Sequence, residues 1–264
     1  MRTVAIVGVG LIGGSFGLAL RRAGFVGEIL GVSSARSIDQ ALERGAVDRG
    51  ASLEEAAAAA DLIFLAQPIF QIVETLGKLD PLVRPEAIVT DAGSTKQAIA
   101  EAARGLKRCA FVGGHPMAGK ELRGAAAADA DLFDGRPWIL TEDHAMLRDW
   151  ITRFGARPII LDAATHDRLV AWSSHLPQLA STALASVLDD RARDAATVAG
   201  PGLLDMTRLA MSSFDLWSDI LETNEAAIDR ALDAYIEKLQ ALRGDFNREF
   251  ASGSRFAKSL RKNV

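Results

Sequence analysis

Cysteine is nearly absent from this chain of 264 residues, which contains only Cys109. A single cysteine cannot form an internal disulfide, so the sequence does not suit a disulfide-stabilised secreted domain and predicts a reducing, cytoplasmic location. The next residues, Ala110, Phe111 and Val112, indicate a buried strand, so we expect the thiol to be structural rather than reactive.

Long apolar runs and an excess of basic charge are lacking too. No run reaches the ~18 residues that a membrane-spanning helix needs, and the N-terminus does not resemble a signal peptide. With 30 basic and 34 acidic side chains, the formal net charge is −4, whereas nucleic-acid-binding domains are usually basic. We therefore expect no membrane partner and no nucleic-acid partner, and no metal site is predicted.

A glycine-rich turn opens the chain. A β-branched, apolar run ends at Gly8, and Gly8, Gly10 and Gly13 have the spacing G-x-G-x-x-G. In this pattern the first glycine makes a tight turn, the second lets the backbone approach a pyrophosphate, and the third lets helix and strand pack closely. The helix that follows, predicted over 16–23, offers unpaired N–H groups to phosphates at its start, and Leu11 and Ile12 of the turn belong to the predicted cofactor-binding set. The turn therefore predicts a dinucleotide site, the alternative being a tight turn that binds nothing.

Strand and helix patterns alternate from this turn to about Asp162. Further strands are predicted at 28–32, 62–66, 87–90, 109–112, 138–140 and 158–161, and helices at 36–44, 52–60, 69–79, 95–103 and 144–154. Such alternation predicts an α/β fold with a doubly wound, Rossmann-type sheet that binds ligands at the carboxyl ends of its strands.

The pattern changes after Asp162, because only helical patterns follow, with one clear break at Pro201-Gly202. Their apolar stripes indicate helices shared across a homodimer. We predict a dinucleotide-binding domain over 1–162, an all-α substrate and dimerisation domain over 163–244, and a basic tail over 245–264 that is solvated or frayed. No strand-rich segment follows the helical half, so we expect no appended small-molecule-sensing domain.

The end of the second strand bears on coenzyme choice. An acidic residue there binds the ribose 2′-hydroxyl of NAD, but Ser33, Ser34 and Arg36 stand in its place. Hydroxyls and a guanidinium suit a 2′-phosphate, so the sequence favours NADP over NAD. The alternative is that Ser34 only caps the next helix and Arg36 is solvated. Gln67 and Pro68, after the strand 62–66, complete the predicted cofactor-binding set.

Several short polar runs remain, and their order along the chain is informative. They are Asp91-Ala92-Gly93-Ser94-Thr95-Lys96, Gly113-Gly114-His115-Pro116-Met117-Ala118-Gly119, Ser174-His175-Leu176-Pro177, Gly202-Leu203-Leu204-Asp205 and Trp217-Ser218-Asp219-Ile220 with Asn224. From the Gly8 turn to about Asn224, the sequence resembles the prephenate and arogenate dehydrogenases of tyrosine biosynthesis. The resemblance implies oxidative decarboxylation of a cyclohexadienol, with hydride transfer to a nicotinamide.

The resemblance also implies roles for individual residues. His115 matches the catalytic histidine, whose neutral imidazole suits proton transfer near neutral pH, and we expect it on a rigid turn. Ser94 matches a serine that orients the same substrate hydroxyl. Arg208 matches the arginine that holds the ring carboxylate, and Trp217 would form a wall of the site. His175 is predicted to bind substrate, and the alternative is a role in helix packing.

Without the resemblance, simpler roles are open to several of these residues. Ser94 would be the N-cap of the helix from 95, Arg208 a surface ion-pair partner, and Trp217 a core residue. His166 and Asp167 are expected to stabilise the start of their own helix.

Two positions depart from the family pattern. Gln178 stands where many members carry a second histidine that reaches the substrate side chain, and Leu203 and Leu204 replace a basic or aromatic pair. Glutamine can donate and accept hydrogen bonds but carries no positive charge. The sequence therefore favours arogenate as the substrate, or the use of both substrates, over strict use of prephenate.

Two other functions are compatible with parts of the sequence. Another two-domain Rossmann dehydrogenase, of the β-hydroxyacid dehydrogenase or imine reductase type, would usually have a lysine as its proton-handling group instead of His115. A catalytically inactive, nicotinamide-sensing module would need the glycine turn but not Ser94, His115 and Arg208 together.

Overall fold

The computed structural model describes residues 1–120 and 122–262, which form two compact units. The first unit contains Met1–Val170 and Ala210–Asn224, and the second contains Ala171–Leu209 and residues 225–262. Among the described residues, no helix has both the length and the apolar character needed to cross a lipid bilayer.

A six-stranded parallel sheet forms the centre of the first unit. Its strands are β1 (Thr3–Val7), β2 (Glu28–Val32), β3 (Arg49–Gly50), β4 (Leu62–Leu65), β5 (Ile88–Asp91) and β6 (Ala110–Val112). Their order, β3-β2-β1-β4-β5-β6, reverses direction between β1 and β4. Ligands of doubly wound sheets bind at such a reversal, so the observed topology confirms the predicted fold class.

Both faces of this sheet are covered by helices. The α-helices of both units, among the described residues, are α1 (Leu11–Arg22), α2 (Ala35–Glu43), α3 (Leu53–Ala59), α4 (Ile69–Leu79), α5 (Gln97–Ala103), α6 (Ala145–Arg153), α7 (Ala163–Val170), α8 (Leu176–Arg191), α9 (Pro201–Thr207), α10 (Phe214–Thr223), α11 (Glu225–Leu242) and α12 (Phe246–Leu260). In β1, Val4 and Ile6 join one apolar core, and Ala5 and Val7 join the other. Burial on both faces explains why the central strands are continuous apolar runs.

A second sheet in the first unit was not expected from the sequence. Its strands are β7 (Gly114–Pro116), β8 (Pro137–Leu140) and β9 (Arg157–Ile160). Strand β7 is antiparallel to β8, which is parallel to β9. The last two strands were therefore predicted in the right places, but they do not extend the doubly wound sheet. The two-residue strand β3 was missed, since so short and exposed a segment has no apolar pattern.

The second unit is helical, and no strand occurs in its described residues, as predicted. A π-helical turn, Ala171–His175, leads into α8. The turn's first residue packs with Leu176 of α8 and with Ala227 and Ala231 of α11 in a small apolar core.

The segment predicted as a solvated or frayed basic tail contains α12, so it is not frayed over Phe246–Leu260, although most of its described side chains are exposed. The Asp245 side chain accepts a hydrogen bond from the Arg248 N–H at 3.0 Å, which caps the start of the helix. An ion pair of 3.0 Å joins Glu249 of α12 to Lys238 of α11. Of the predicted tail, residues 263 and 264 lie outside the described part of the chain.

Candidate active site

The three glycines of the opening turn differ in their surroundings. Gly8 has φ +92°, and a Cβ atom there would lie 2.7 Å from the Ala66 carbonyl. A Cβ at Gly13 would lie 2.2 Å from the Gly8 carbonyl oxygen, so helix α1 contacts the turn at this point. At Gly10, the N-cap of α1, a Cβ would have no atom within 4 Å. Gly8 and Gly13 therefore shape the turn, whereas Gly10 leaves open space in front of it.

The start of α1 suits a negatively charged group. Leu11, Ile12 and Gly13 form its first turn, whose N–H groups have no acceptor within the helix. No acidic side chain occurs in that turn. The helix dipole adds partial positive charge, so these residues fit the pyrophosphate of a dinucleotide coenzyme.

The remaining predicted cofactor residues lie at the ends of neighbouring strands. Ser33 and Arg36 are exposed after β2. The Ser34 hydroxyl accepts a bond of 3.3 Å from the Ser37 N–H, so Ser34 does cap α2. Gln67 and Pro68 follow β4, which neighbours β1 in the sheet, and Pro68 is the N-cap of α4.

His115 lies in strand β7, where it is 9% exposed. The prediction that a rigid turn carries it is wrong, because its residue pairs with Ile139 of β8 in an antiparallel ladder. Its Nδ1 atom lies 2.8 Å from Nε2 of His166, whose Nδ1 lies 2.7 Å from Oδ1 of Asp167. Both partners belong to α7 and are fully buried.

The Asp167 carboxylate accepts hydrogen bonds from several donors. Besides His166, the backbone N–H groups of Lys96 and Gln97 donate to it at 2.7 and 2.9 Å. Burial raises the pKa of Asp167, but the hydrogen bonds from His166, Gln97 and Lys96 outweigh this effect, so the pKa is lowered. The carboxylate is thus ionised near neutral pH.

This arrangement corrects the expectation for His166 and Asp167. They do not stabilise the start of their own helix. Asp162 does so, because its carboxylate accepts a bond of 2.9 Å from the Thr165 N–H. The two side chains instead bind His115 in β7 and the N–H groups at the start of α5. Neighbouring positions in a sequence do not reveal contacts with such distant elements.

A buried ion pair connects β7 to the large sheet. Lys96 and Asp91 are 1% and 0% exposed, and their side chains are in contact. Burial lowers the pKa of Lys96, while Asp91 opposes this effect. Lys96 Nζ donates to the Gly114 carbonyl at 2.7 Å, and the Gly114 N–H donates to Asp91 at 3.0 Å. The pair thus binds both peptide groups of the residue before His115. The sequence pointed to the run from Asp91 to Lys96 but indicated a role only for Ser94.

Ser94 lies half-buried in the loop between β5 and α5. It is not the N-cap of the following helix, which starts at Gln97 with Lys96 as its N-cap. The Asp167 carboxylate binds the N–H groups at that helix start in its place. The alternative role as a cap is therefore wrong, and Ser94 remains a candidate for contact with substrate.

The Trp-x-Asp-Ile run packs α10 against other elements of the first unit. Trp217 and Ile220 belong to one of its apolar cores. Asp219 Oδ2 accepts a bond of 3.2 Å from the Phe70 N–H at the start of α4. Asn224 Nδ2 donates to the Asp167 carbonyl at 2.8 Å. The run therefore supports α4 and α7, two helices next to predicted site residues.

The other predicted substrate residues belong to the second unit. His175 is 1% exposed at the end of the π-helical turn, and Gln178 is 5% exposed in α8. Gln178 Nε2 donates to the Leu209 carbonyl at 2.8 Å and to the Thr182 hydroxyl at 3.2 Å. Gln178 thus supports the backbone next to Arg208, whose side chain is exposed.

Comparison with known proteins identifies the family. Residues 16–154 match the family model described as "Prephenate dehydrogenase, nucleotide-binding domain", and residues 162–261 match "Prephenate dehydrogenase, dimerization domain". A prephenate dehydrogenase of Lactococcus lactis subsp. cremoris is 36% identical over 238 residues, covering 87% of this chain and 67% of that protein.

Two solved structures are similar over nearly their full length. One is prephenate dehydrogenase from A. aeolicus in complex with hydroxyphenyl propionate and NAD+, with 31% identity, a TM-score of 0.86 and coverage of 100% of this chain and 97% of that one. The other is Synechocystis arogenate dehydrogenase, with 33% identity, a TM-score of 0.81 and coverage of 99% and 98%. The glycine turn and both domain matches agree: this chain is an oxidoreductase with a nicotinamide cofactor and belongs to the prephenate dehydrogenase family.

Proposed function

We propose that this protein oxidatively decarboxylates prephenate or arogenate, with His115 as the catalytic base and NADP as the favoured hydride acceptor. The observation that carries this proposal is the tether at Gly114. Asp91, the last residue of β5, and Lys96 bind both of its peptide groups. His115 is thus fixed beyond the carboxyl end of β5, on the edge of the sheet that also carries the Gly8 turn.

The reaction removes hydride from the ring carbon that bears the hydroxyl group. The nicotinamide, when bound, accepts this hydride. Neutral His115 accepts the hydroxyl proton as positive charge develops on that carbon. The bond to the ring carboxylate then breaks, carbon dioxide leaves, and the bonding electrons complete the aromatic ring. His115 returns its proton to the oxygen, which becomes a phenol, so the reaction consumes no net proton.

Arg208 is proposed to bind the ring carboxylate through its guanidinium group. The support is its position in the run that resembles the family motif, together with the hydrogen bond that Gln178 makes to the adjacent Leu209. A planar guanidinium orients a carboxylate by two parallel hydrogen bonds. The interaction should hold the group without over-stabilising it, because the carboxylate must leave as a neutral molecule.

Gln178 supports use of arogenate. Its two amide protons are donated within its own unit, to Leu209 and Thr182. The group that it can offer to a substrate is therefore Oε1, a hydrogen-bond acceptor. An acceptor suits the ammonium group of arogenate better than the keto group of prephenate.

NADP is favoured by the residues that follow β2. The exposed side chains of Ser33 and Arg36 offer a hydroxyl and a guanidinium, and none of the residues 33–38 is acidic, so this stretch has no carboxylate to repel a 2′-phosphate. Ser34 contributes less to this argument, because its hydroxyl caps α2.

A homodimer formed through the C-terminal helices is part of the proposal. The match to a dimerization domain supports dimerisation. Helix α12 carries large apolar side chains that are more than half exposed in one chain: Phe246, Phe250, Phe256 and Leu260. An exposed apolar surface of this kind is typical of a subunit interface.

Steady-state kinetics with prephenate and arogenate, each with NAD and NADP, tests the activity. His115→Asn should lower kcat by the ~10²–10⁴-fold typical of general-base loss while coenzyme binding persists. Arg208→Ala should chiefly raise the KM for substrate, whereas Arg191→Ala, a change of another exposed arginine of the second unit, should not. Turnover of neither substrate by the wild type, or an unchanged kcat in His115→Asn, would refute the proposal.

A further inference from the structure

Two buried side chains of α7 have no part in the reaction described above. His166 and Asp167 are both 0% exposed, yet they form a hydrogen-bonded chain that ends on His115. The separations are 2.8 Å from His115 Nδ1 to His166 Nε2 and 2.7 Å from His166 Nδ1 to Asp167 Oδ1. All three residues belong to the first unit.

The direction of each hydrogen bond follows from Asp167, the last member of this hydrogen-bonded series. Asp167 is ionised, because the N–H groups of Lys96 and Gln97 and the His166 ring lower its pKa against the effect of burial. A carboxylate only accepts, so His166 must carry its proton on Nδ1. With a single proton on its ring, His166 then has a lone pair on Nε2, which accepts a hydrogen bond.

The same reasoning extends to the catalytic imidazole. Because His166 Nε2 is an acceptor, His115 must donate from Nδ1, and in its neutral form its Nε2 is then the acceptor nitrogen. The opposite tautomer of His115 would place two lone pairs 2.8 Å apart. That contact is repulsive and would displace the ring.

We propose that His166 and Asp167 are positioning residues that hold His115 in the Nδ1–H tautomer, so that Nε2 receives the substrate's hydroxyl proton. This inference rests on the proposed role of His115 as the base. A buried aspartate that holds a catalytic imidazole in one tautomer is the logic of serine hydrolases. Here a second imidazole lies between the two groups.

The hydrogen bonds through His166 to Asp167 also stabilise His115 after proton transfer. When Nε2 accepts the hydroxyl proton, Nδ1 keeps its own proton and continues to donate to His166. That hydrogen bond becomes charge-assisted and therefore stronger. The proton returns from Nε2 to the phenolic oxygen, so His166 and Asp167 gain and lose none. They act through His115 and do not themselves contact the reacting atoms.

Nitrogen-15 NMR of the wild-type protein tests the tautomer without any assay of activity. The sequence has four histidines, so single substitutions assign each ring. Near neutral pH, His115 should show a protonated Nδ1 and an unprotonated Nε2. A dominant Nε2–H tautomer would overturn the proposal. Because this measurement needs no variant of His166, it stays decisive if such a variant fails to fold.

Substitutions at His166 test the consequence for catalysis. His166→Phe removes the acceptor at similar size, so His115 should populate the Nε2–H tautomer. With correct substrate binding retained, kcat should fall about 10- to 100-fold, the cost found when a metal-ligating imidazole loses the partner that orients it, and KM should change little. His166→Gln supplies an oxygen that can accept from Nδ1 and should keep kcat above that of the phenylalanine variant.

The matched control is His144→Asn, which changes the N-cap residue of α6 in the same unit. It should leave both the tautomer of His115 and kcat as in the wild type. Wild-type kcat in His166→Phe, or equal kcat in the phenylalanine and glutamine variants, would overturn the proposal. Failure of the proposed function would be seen separately, as a wild-type enzyme that turns over neither substrate whatever the His115 tautomer is.

Discussion

Replacing Gly13 by alanine should destabilise the first unit although alanine is the better helix former. The new Cβ would lie 2.2 Å from the Gly8 carbonyl oxygen and 2.9 Å from Ile6 Cγ2. Gly8 cannot easily yield, because its own N–H donates to the Val32 carbonyl at 2.9 Å. A contact this short with main-chain atoms belongs at the upper end of overpacking costs, about 3 kcal/mol.

Helix propensity opposes this cost but is smaller. Alanine gains about 1 kcal/mol over glycine inside a helix, so a net loss of about 2 kcal/mol remains. For a chain of this size, each kcal/mol lowers the Tm by roughly 2–4 °C. Thermal unfolding of Gly13→Ala, followed by circular dichroism, should therefore show a Tm about 4–8 °C below that of the wild type.

Two matched glycine substitutions separate the steric effect from the coenzyme site. Gly77→Ala, in α4 with no atom within 4 Å of its Cβ, should be neutral or stabilising. Gly10→Ala also has no atom within 4 Å of its Cβ and should keep nearly the wild-type Tm. Its methyl group, however, enters the space where a pyrophosphate approaches α1, so coenzyme affinity should fall at least about tenfold, or 1.4 kcal/mol.

Fluorescence titration with the coenzyme completes this test. A wild-type Tm in Gly13→Ala would show that the close contact between helix and turn does not constrain the fold. A wild-type coenzyme Kd in Gly10→Ala would refute the placement of the pyrophosphate at this turn.

Three further substitutions probe other parts of the molecule. Lys96→Met leaves Asp91 as an uncompensated buried charge and should lower the free energy of unfolding by about 3–5 kcal/mol. The control Lys78→Met changes an exposed ion pair and should lower it by less than about 1 kcal/mol. Equal losses of the two variants in urea unfolding would contradict this reasoning. Ser33→Asp should move the ratio of kcat/KM values toward NAD, and an unchanged ratio would count against a 2′-phosphate site after β2. Phe250→Glu places a charge on the exposed apolar face of α12 and should raise the dimer dissociation constant measured by analytical ultracentrifugation, whereas a wild-type constant would exclude this face from the interface.

Local patterns were sufficient to predict much of the fold. Ser52 caps α3, since its hydroxyl accepts a bond of 3.2 Å from the Glu55 N–H. Helix α4 has the predicted bounds, Ile69–Leu79. The fully buried strand β4 was visible as a continuous apolar run. Each of these features depends on residues a few positions apart, where periodicity and capping preferences act directly.

The sequence by itself thus determined the glycine turn, the alternation of strands and helices, and the candidacy of His115 through its motif. Only the tertiary structure decided what surrounds that histidine. His166 is 51 positions from His115, and Asp167 is 71 positions from Lys96. Hydrogen bonds between residues so far apart leave no periodic pattern in a sequence, because the contacts exist only once separate elements have packed together.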